Sequence, residues 1–131
     1  MFDTAEVKTM AQAYADAWCS HKPSSVAGFY PEDGQISVNG AEPVKGRPGI
    51  EALMTGFYND FPDLKVQLDE CRSAGRDAIF AWTLTGTHSG TGNKVAISGW
   101  EAWTLTEDLQ IGVSRSYFNA EEYARQIAEG V

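Results

Sequence analysis

Apolar residues recur along this chain with two different periods, and the change from one to the other separates a helical N-terminal part from a C-terminal sheet. Val7, Met10, Ala11, Tyr14, Ala17 and Trp18 repeat at helical spacing, with Asp3 or Thr4 placed to cap the helix and Glu6 in its opening turn. That helix is expected to fade near Ser20 to His21. Pro23 then opens a short second helix through Tyr30, with Val26, Phe29 and Tyr30 turned inward. Residues 31–34, "PEDG", form a turn. "QISVNG" reads as a short strand, and residues 40–46 as a loop or a ragged second strand. Pro48 stands early in a third helix, whose Ile50, Leu53, Met54, Phe57 and Phe61 share one face and which Pro62 ends. From Leu64 onward the period is two. Leu64, Val66 and Leu68 point inward from one strand, and three more strands follow between Arg76 and Tyr117. A last helix opens at Asn119, which makes a capping box with Glu122, and Tyr123 and Ile127 dock it.

Within the final three strands, polar residues interrupt the apolar rows. Phe80, Trp82 and Leu84 share a parity with His88, whereas Thr83, Thr85 and Thr87 fall on the other side. Val95, Ile97, Trp103 and Leu105 share a parity with Glu101, which puts a carboxylate in the middle of a core-facing row. Ile111 and Val113 share a parity with Arg115 and Tyr117. If these strands are neighbours in one antiparallel sheet, His88, Glu101, Arg115 and Tyr117 converge on a single interior, which is read as a pocket. Helices first, then sheet, then a helix is an α+β order in one domain, residues 1–131. The expected architecture is a curved antiparallel sheet wrapped around the N-terminal helices.

Composition narrows the functional classes. At 131 residues the chain is long enough to bury roughly two thirds of its unfolded surface in a single core. A net charge of −8 disfavours phosphate backbones, so nucleic acid and anionic membrane surfaces are poor partners. The N-terminus lacks the basic and apolar regions of a signal peptide and no segment approaches a membrane span, so a cytoplasmic location is expected. Cys19 and Cys71 lack metal-ligand spacing and read as small, reduced packing residues. The two histidines have no ligand-like spacing either, so no metal is expected. No glycine-rich loop follows a strand and opens a helix, and no serine sits on a nucleophile elbow; chemistry without a cofactor is the expectation.

Three amphipathic helices, "FPDL" closing the third, then "WTLTGTHSG", "GWEAWTL" and "SRSYFNAEEYARQI" in that order resemble the SnoaL-like polyketide cyclase group of the nuclear transport factor 2-like superfamily. The likeness covers nearly the whole chain. It implies a cone-shaped α+β barrel with a pocket in the cone, and a homodimer paired through the outer face of the sheet. The rows Thr83, Thr85, Thr87 and Ala96, Ser98, Trp100, Ala102, Thr104 would then be dimer surface. Members of this superfamily include cyclases, isomerases, dehydratases, epoxide hydrolases and plain binding modules. In the cyclases an acidic residue near the end of the last strand is regarded as the acid/base. Asn119 occupies that neighbourhood here, and an amide does not exchange a proton near neutrality. Tyr14 lies roughly where ketosteroid isomerases keep an oxyanion-hole tyrosine, but "QISVNG" has no Asp at the corresponding strand position.

Residue by residue, Glu101 is either a base whose pKa is raised by burial or one half of an ion pair with Arg115. Arg115 either neutralises Glu101 or orients a substrate carbonyl. His88 is either an acid/base at the pocket mouth or a residue that pins its loop. Tyr14, Trp18, Phe57, Trp82, Trp103 and Tyr117 are candidate linings for a flat apolar ligand, and equally candidate core. Asp63 either takes part in proton transfer or bonds the backbone of its own turn, and Asn119 is either a helix cap alone or a cap whose side chain also faces the ligand. The leading expectation is proton transfer on a small carbonyl compound, with Glu101 or His88 as base and Tyr14 or Tyr117 at the oxyanion. A non-catalytic domain that binds a small apolar molecule is the alternative.

Overall fold

A computed structural model describes residues 2–131. Helix α1 (Thr4–Cys19) starts where Asp3 accepts the Glu6 N–H at 2.8 Å, and its buried stripe holds Val7, Met10, Ala11, Tyr14, Ala15, Ala17 and Trp18. Helix α2 (Pro23–Ala27) is a single turn and a half, shorter than the pattern predicts; Phe29 and Tyr30 follow it in a turn. Strands β1 (Gln35–Val38) and β2 (Val44–Lys45) form a small hairpin. Helix α3 (Arg47–Asp60) carries Pro48 in its first turn and stops before Pro62. Four longer strands follow, β3 (Lys65–Ala74), β4 (Asp77–Thr87), β5 (Lys94–Leu105) and β6 (Ile111–Phe118), then helix α4 (Ala120–Glu129).

The six strands make one curved sheet in the order β2-β1-β6-β5-β4-β3. It is open, with β2 and β3 at its edges, so the helices are wrapped by a curved sheet and not enclosed in a closed barrel. Nor is it antiparallel throughout. β1 runs parallel to β6, with Ile36 beside Ser114 and Val38 beside Ser116. Parallel neighbours need a long crossover, and the chain between them contains α3 and β3 to β5.

Two one-residue irregularities alter the strict alternation. One lies at Asp69 in β3, between the pairs Leu68–Trp82 and Glu70–Ala81. The other lies at Gly112, since Thr104 pairs with Val113 while the next residue, Leu105, pairs with Ile111. An extra residue in one strand turns every later side chain to the opposite face. After Gly112 it is therefore Ser114 and Ser116 that are buried, and Arg115 that is exposed. α4 covers the part of β5 beyond the end of β6. There the Gln126 Oε1 accepts the Ala96 N–H at 2.7 Å, satisfying a strand edge that would otherwise be unpaired.

Candidate functional site

Glu101 lies in the middle of β5 with β4 and β6 on either side, opposite Phe80 on one and Ser116 on the other, and is only 3% exposed. Its neighbours on the same face decide its state. Trp103, two residues on, donates its indole N–H to Oε1 at 2.9 Å. Ser114, diagonally across on β6, donates to the same oxygen at 2.7 Å. Tyr14 descends from α1 and donates its phenol to Oε1 at 3.1 Å, with Oε2 at 3.5 Å. Behind it, the Tyr30 and Tyr14 hydroxyls are 2.7 Å apart. Tyr14 is held edge-on by Phe29, Phe80 and Trp103, all at 5.3 Å, and Phe80 stacks on Trp103 at 5.1 Å. These rings fix the phenol's direction.

Oε1 thus has three donors, while Oε2 keeps a single long contact. Among the described residues no cation forms a salt bridge with this carboxylate. Burial pushes the Glu101 carboxyl above its ordinary value of 4.5; the bonds from Trp103, Ser114 and Tyr14 pull the other way without cancelling it. Burial, and then the nearby Glu101 charge, push the Tyr14 phenol well above its ordinary range, so it serves as a donor. Tyr30 is shifted the same way for the same reasons.

Glu101 opens onto a cavity of about 40 Å³ between the sheet and the helices. Its walls are apolar, among them Ile36, Leu53, Met54, Phe57 and Phe118, with Trp18 and Trp82 contributing large rings and Ser116 a hydroxyl. Glu101 is the one carboxylate in this lining. Tyr123 of α4 closes one side, and burial pushes its phenol up to about 12.

Of the residues singled out from the sequence, the fold brings Glu101, Tyr14 and Trp103 into contact and puts Trp18, Phe57 and Trp82 in the cavity wall. Arg115 and Tyr117 are not there. The bulge at Gly112 turns Arg115 to the outer face, beside Ala102, and turns Tyr117 toward Trp100, 5.7 Å away between ring centres. No Glu101–Arg115 ion pair forms. His88 is half-buried in the β4–β5 loop and is not part of the cavity wall; its Nδ1 accepts the Thr91 N–H at 3.2 Å and its ring meets Phe61 at 5.5 Å. Asp63 is exposed and accepts the Thr87 N–H at 2.6 Å, a bond that holds its carboxyl below the usual range. Asn119 is an exposed helix cap, accepting the Glu122 N–H at 3.0 Å, and does not line the cavity. The sequence reading missed Ser114, Ser116 and the site role of Tyr30. A glycine within a strand is the cue that a bulge and a change of parity follow. Among the described residues no group of three or more His, Cys, Asp or Glu side chains is arranged to hold a metal, and no helix is long and apolar enough to cross a membrane.

Comparison with known proteins places this geometry in context. The model of the SnoaL-like domain matches residues 11–112, from within α1 to the bulge in β6. No curated protein matches. Among solved structures, a Jannaschia sp. CCS1 protein provisionally assigned as a SnoaL-like polyketide cyclase superposes with a TM-score of 0.84 at 17% identity, covering 98% of this chain and 95% of that one. A hypothetical protein of ketosteroid isomerase-like fold from Catenulispora acidiphila, crystallised with trimethylamine, gives 0.83 at 18% identity and covers 96% and 95%. The epoxide hydrolase/cyclase-like enzyme of pyran ring formation in the polyether salinomycin gives 0.82 at 15%, covering 93% and 97%.

Proposed function

The chain belongs to the SnoaL-like domain family, and on that premise we propose that it is a cofactor-free acid/base enzyme of cyclase or isomerase type, acting on a small, largely apolar carbonyl compound. The observation that carries this reading is the asymmetry of Glu101: one oxygen is anchored by three neutral donors, the other keeps only a long contact with Tyr14, and the residue lines an apolar cavity. A carboxylate fixed in this way, with its pKa raised, is suited to take a proton from carbon next to a carbonyl. The C–H electron pair moves into the new C–C double bond and the carbonyl pair onto oxygen, giving an enolate; Glu101, now protonated, returns the proton at another position or to a cyclised product. Tyr14, Trp103 and Ser114 act on the base, holding its orientation.

The test is exchange of substrate α-hydrogens in deuterium oxide, followed by NMR on a panel of small cyclic ketones. Wild-type protein is expected to exchange at least one member, and Glu101→Gln to lose about two to four orders of magnitude, the range of general acid/base contributions. Equal exchange by both proteins refutes the reading.

A second reading, a non-catalytic domain that binds a small molecule, is favoured by the small size of the cavity and by a lining in which Glu101 is the one carboxylate and no histidine or cation stands beside it. Saturable ligand binding unaffected by Glu101→Gln, with no exchange of any ketone, supports it. We also propose that a second copy of the chain pairs with the outer sheet face, where Trp100 is 47% and Ile79 40% exposed. Light scattering that gives a monomer at micromolar concentration rules this out.

A further inference from the structure

Of the four tryptophans, Trp103 donates to Glu101 and Trp100 is exposed on the outer face. The remaining two, Trp18 on α1 and Trp82 on β4, are 6% and 7% exposed, and both line the cavity. Their indole nitrogens are shut off from solvent and complete no hydrogen bond among the described residues, although the Trp18 N–H lies near enough to the Tyr14 hydroxyl to favour its ionised form slightly. A buried N–H without an acceptor is costly, and native interiors rarely leave one. Here there are two, on different elements, in the wall of the cavity that Glu101 also lines.

We propose that the cavity takes a small neutral compound whose acceptor oxygen is bound by the indole N–H groups of Trp18 and Trp82, in preference to hydrocarbons of the same shape. This rests on the cavity being the substrate site, and it names the feature by which a substrate is chosen. An indole N–H donates and cannot accept, so it selects ketone, ester or ether oxygen and gives nothing to an ammonium group. The rest of the lining is apolar apart from Glu101, the Ser116 hydroxyl and the Tyr123 phenol, so the body of the ligand is hydrocarbon. A volume of about 40 Å³ is well below the roughly 150 Å³ that holds a benzene ring, so even a one-ring ligand enters only as the walls move apart. A site whose buried donors need an oxygen discriminates against an analogue that lacks it.

The experiment compares cyclopentanone with methylenecyclopentane, which replaces the oxygen with a CH₂ group. Binding is followed on the indole N–H signals of ¹⁵N-labelled wild-type protein, with Trp18→Phe and Trp82→Phe used for assignment. The ketone is expected to move the Trp18 or Trp82 signal downfield, to leave that of Trp100 in place, and to bind at least about tenfold more tightly than the alkene, the effect of one hydrogen bond of ordinary strength. Equal affinities, unmoved indole signals, or binding of neither compound overturns the proposal. The comparison needs only wild-type protein, so a variant that fails to fold does not decide it. Repeating it with Glu101→Gln separates the two readings. Ketone preference that survives while α-hydrogen exchange is absent from both proteins supports the indole site and removes the catalysis. Exchange without ketone preference does the reverse.

Discussion

Replacing Glu101 by Gln tests the central electrostatic claim without requiring any substrate. The glutamine Oε1 keeps its acceptor role toward Trp103, Ser114 and Tyr14, so the aromatic packing around it has no reason to change. What the substitution removes is the ionisation. Because burial raises the carboxyl's pKa in the folded protein, the unfolded chain loses its proton first as pH increases. The sign follows directly. Wild-type stability relative to the glutamine variant is constant below the ordinary value of 4.5, falls as pH rises from there through the folded-state pKa, and is constant again above it. With one proton involved, the steepest slope is about 1.4 kcal/mol per pH unit. In a domain of this size each kcal/mol corresponds to roughly 3–5 °C in melting temperature. Melting curves for both proteins at half-unit steps from pH 4 to pH 9 give the difference. Carboxyls shifted the other way, Asp63 and Glu122, are common to both and cancel. A flat difference, or a wild type that gains on the variant as pH rises, would show that the three donors outweigh desolvation and that Glu101 is an ordinary buried carboxylate.

Other perturbations probe what surrounds the site. At Gly99 an added methyl would overlap the Tyr117 carbonyl and approach Trp82 Cζ2 to 2.8 Å, so Gly99→Ala is expected to cost about 1–3 kcal/mol by overpacking, read as a lowered urea midpoint. Gln126→Ala leaves the Ala96 N–H without its acceptor and is expected to cost about 1–3 kcal/mol, with faster hydrogen exchange at that amide. Arg115→Ala, on the outer face, is expected to leave the pH profile described above unchanged; a shift in it would mean that Arg115 and Glu101 communicate across the sheet.

Much of the architecture was legible because burial imposes periodicity. The stripe of α1 and the rows of β4 and β5 fall where alternation puts them, and the reading of Glu101 as an inward carboxylate follows from β5 having no irregularity between Val95 and Thr104. The last strand failed for the same reason that the others succeeded. Parity is a counting rule, and the extra residue at Gly112 shifts the count for everything after it, moving Arg115 and Tyr117 out and Ser114 and Ser116 in. For His88 and Asp63 the sequence left a pocket role and a loop-holding role both open, because alternation says nothing beyond a strand's end; bonds to Thr91 and Thr87 hold them in the loops. Tyr30 was placed inward but not at the site, since which distant residues a phenol meets depends on how α1 and the following turn pack, and spacing along the chain does not encode that.

The bulge also explains why this site exchanges protons at all in the proposed reading. Had β6 kept its alternation, the Arg115 guanidinium would share the face of Glu101, and a cation beside a buried carboxylate stabilises the charged form and lowers its pKa. The result would be a structural ion pair with both charges satisfied and little basicity left. With one residue inserted, Ser114 takes that face, contributing a neutral hydroxyl at 2.7 Å. Neutral donors hold the carboxylate in place as firmly but offset less of the desolvation, so the pKa remains raised. It follows that Ser114→Arg, which brings a positive charge to the acid on that same face, should reverse the sign of the pH-dependent stability difference, even if the protein folds less stably. If that variant folds and its stability still falls as pH rises, the partner's charge is not what sets the state of Glu101.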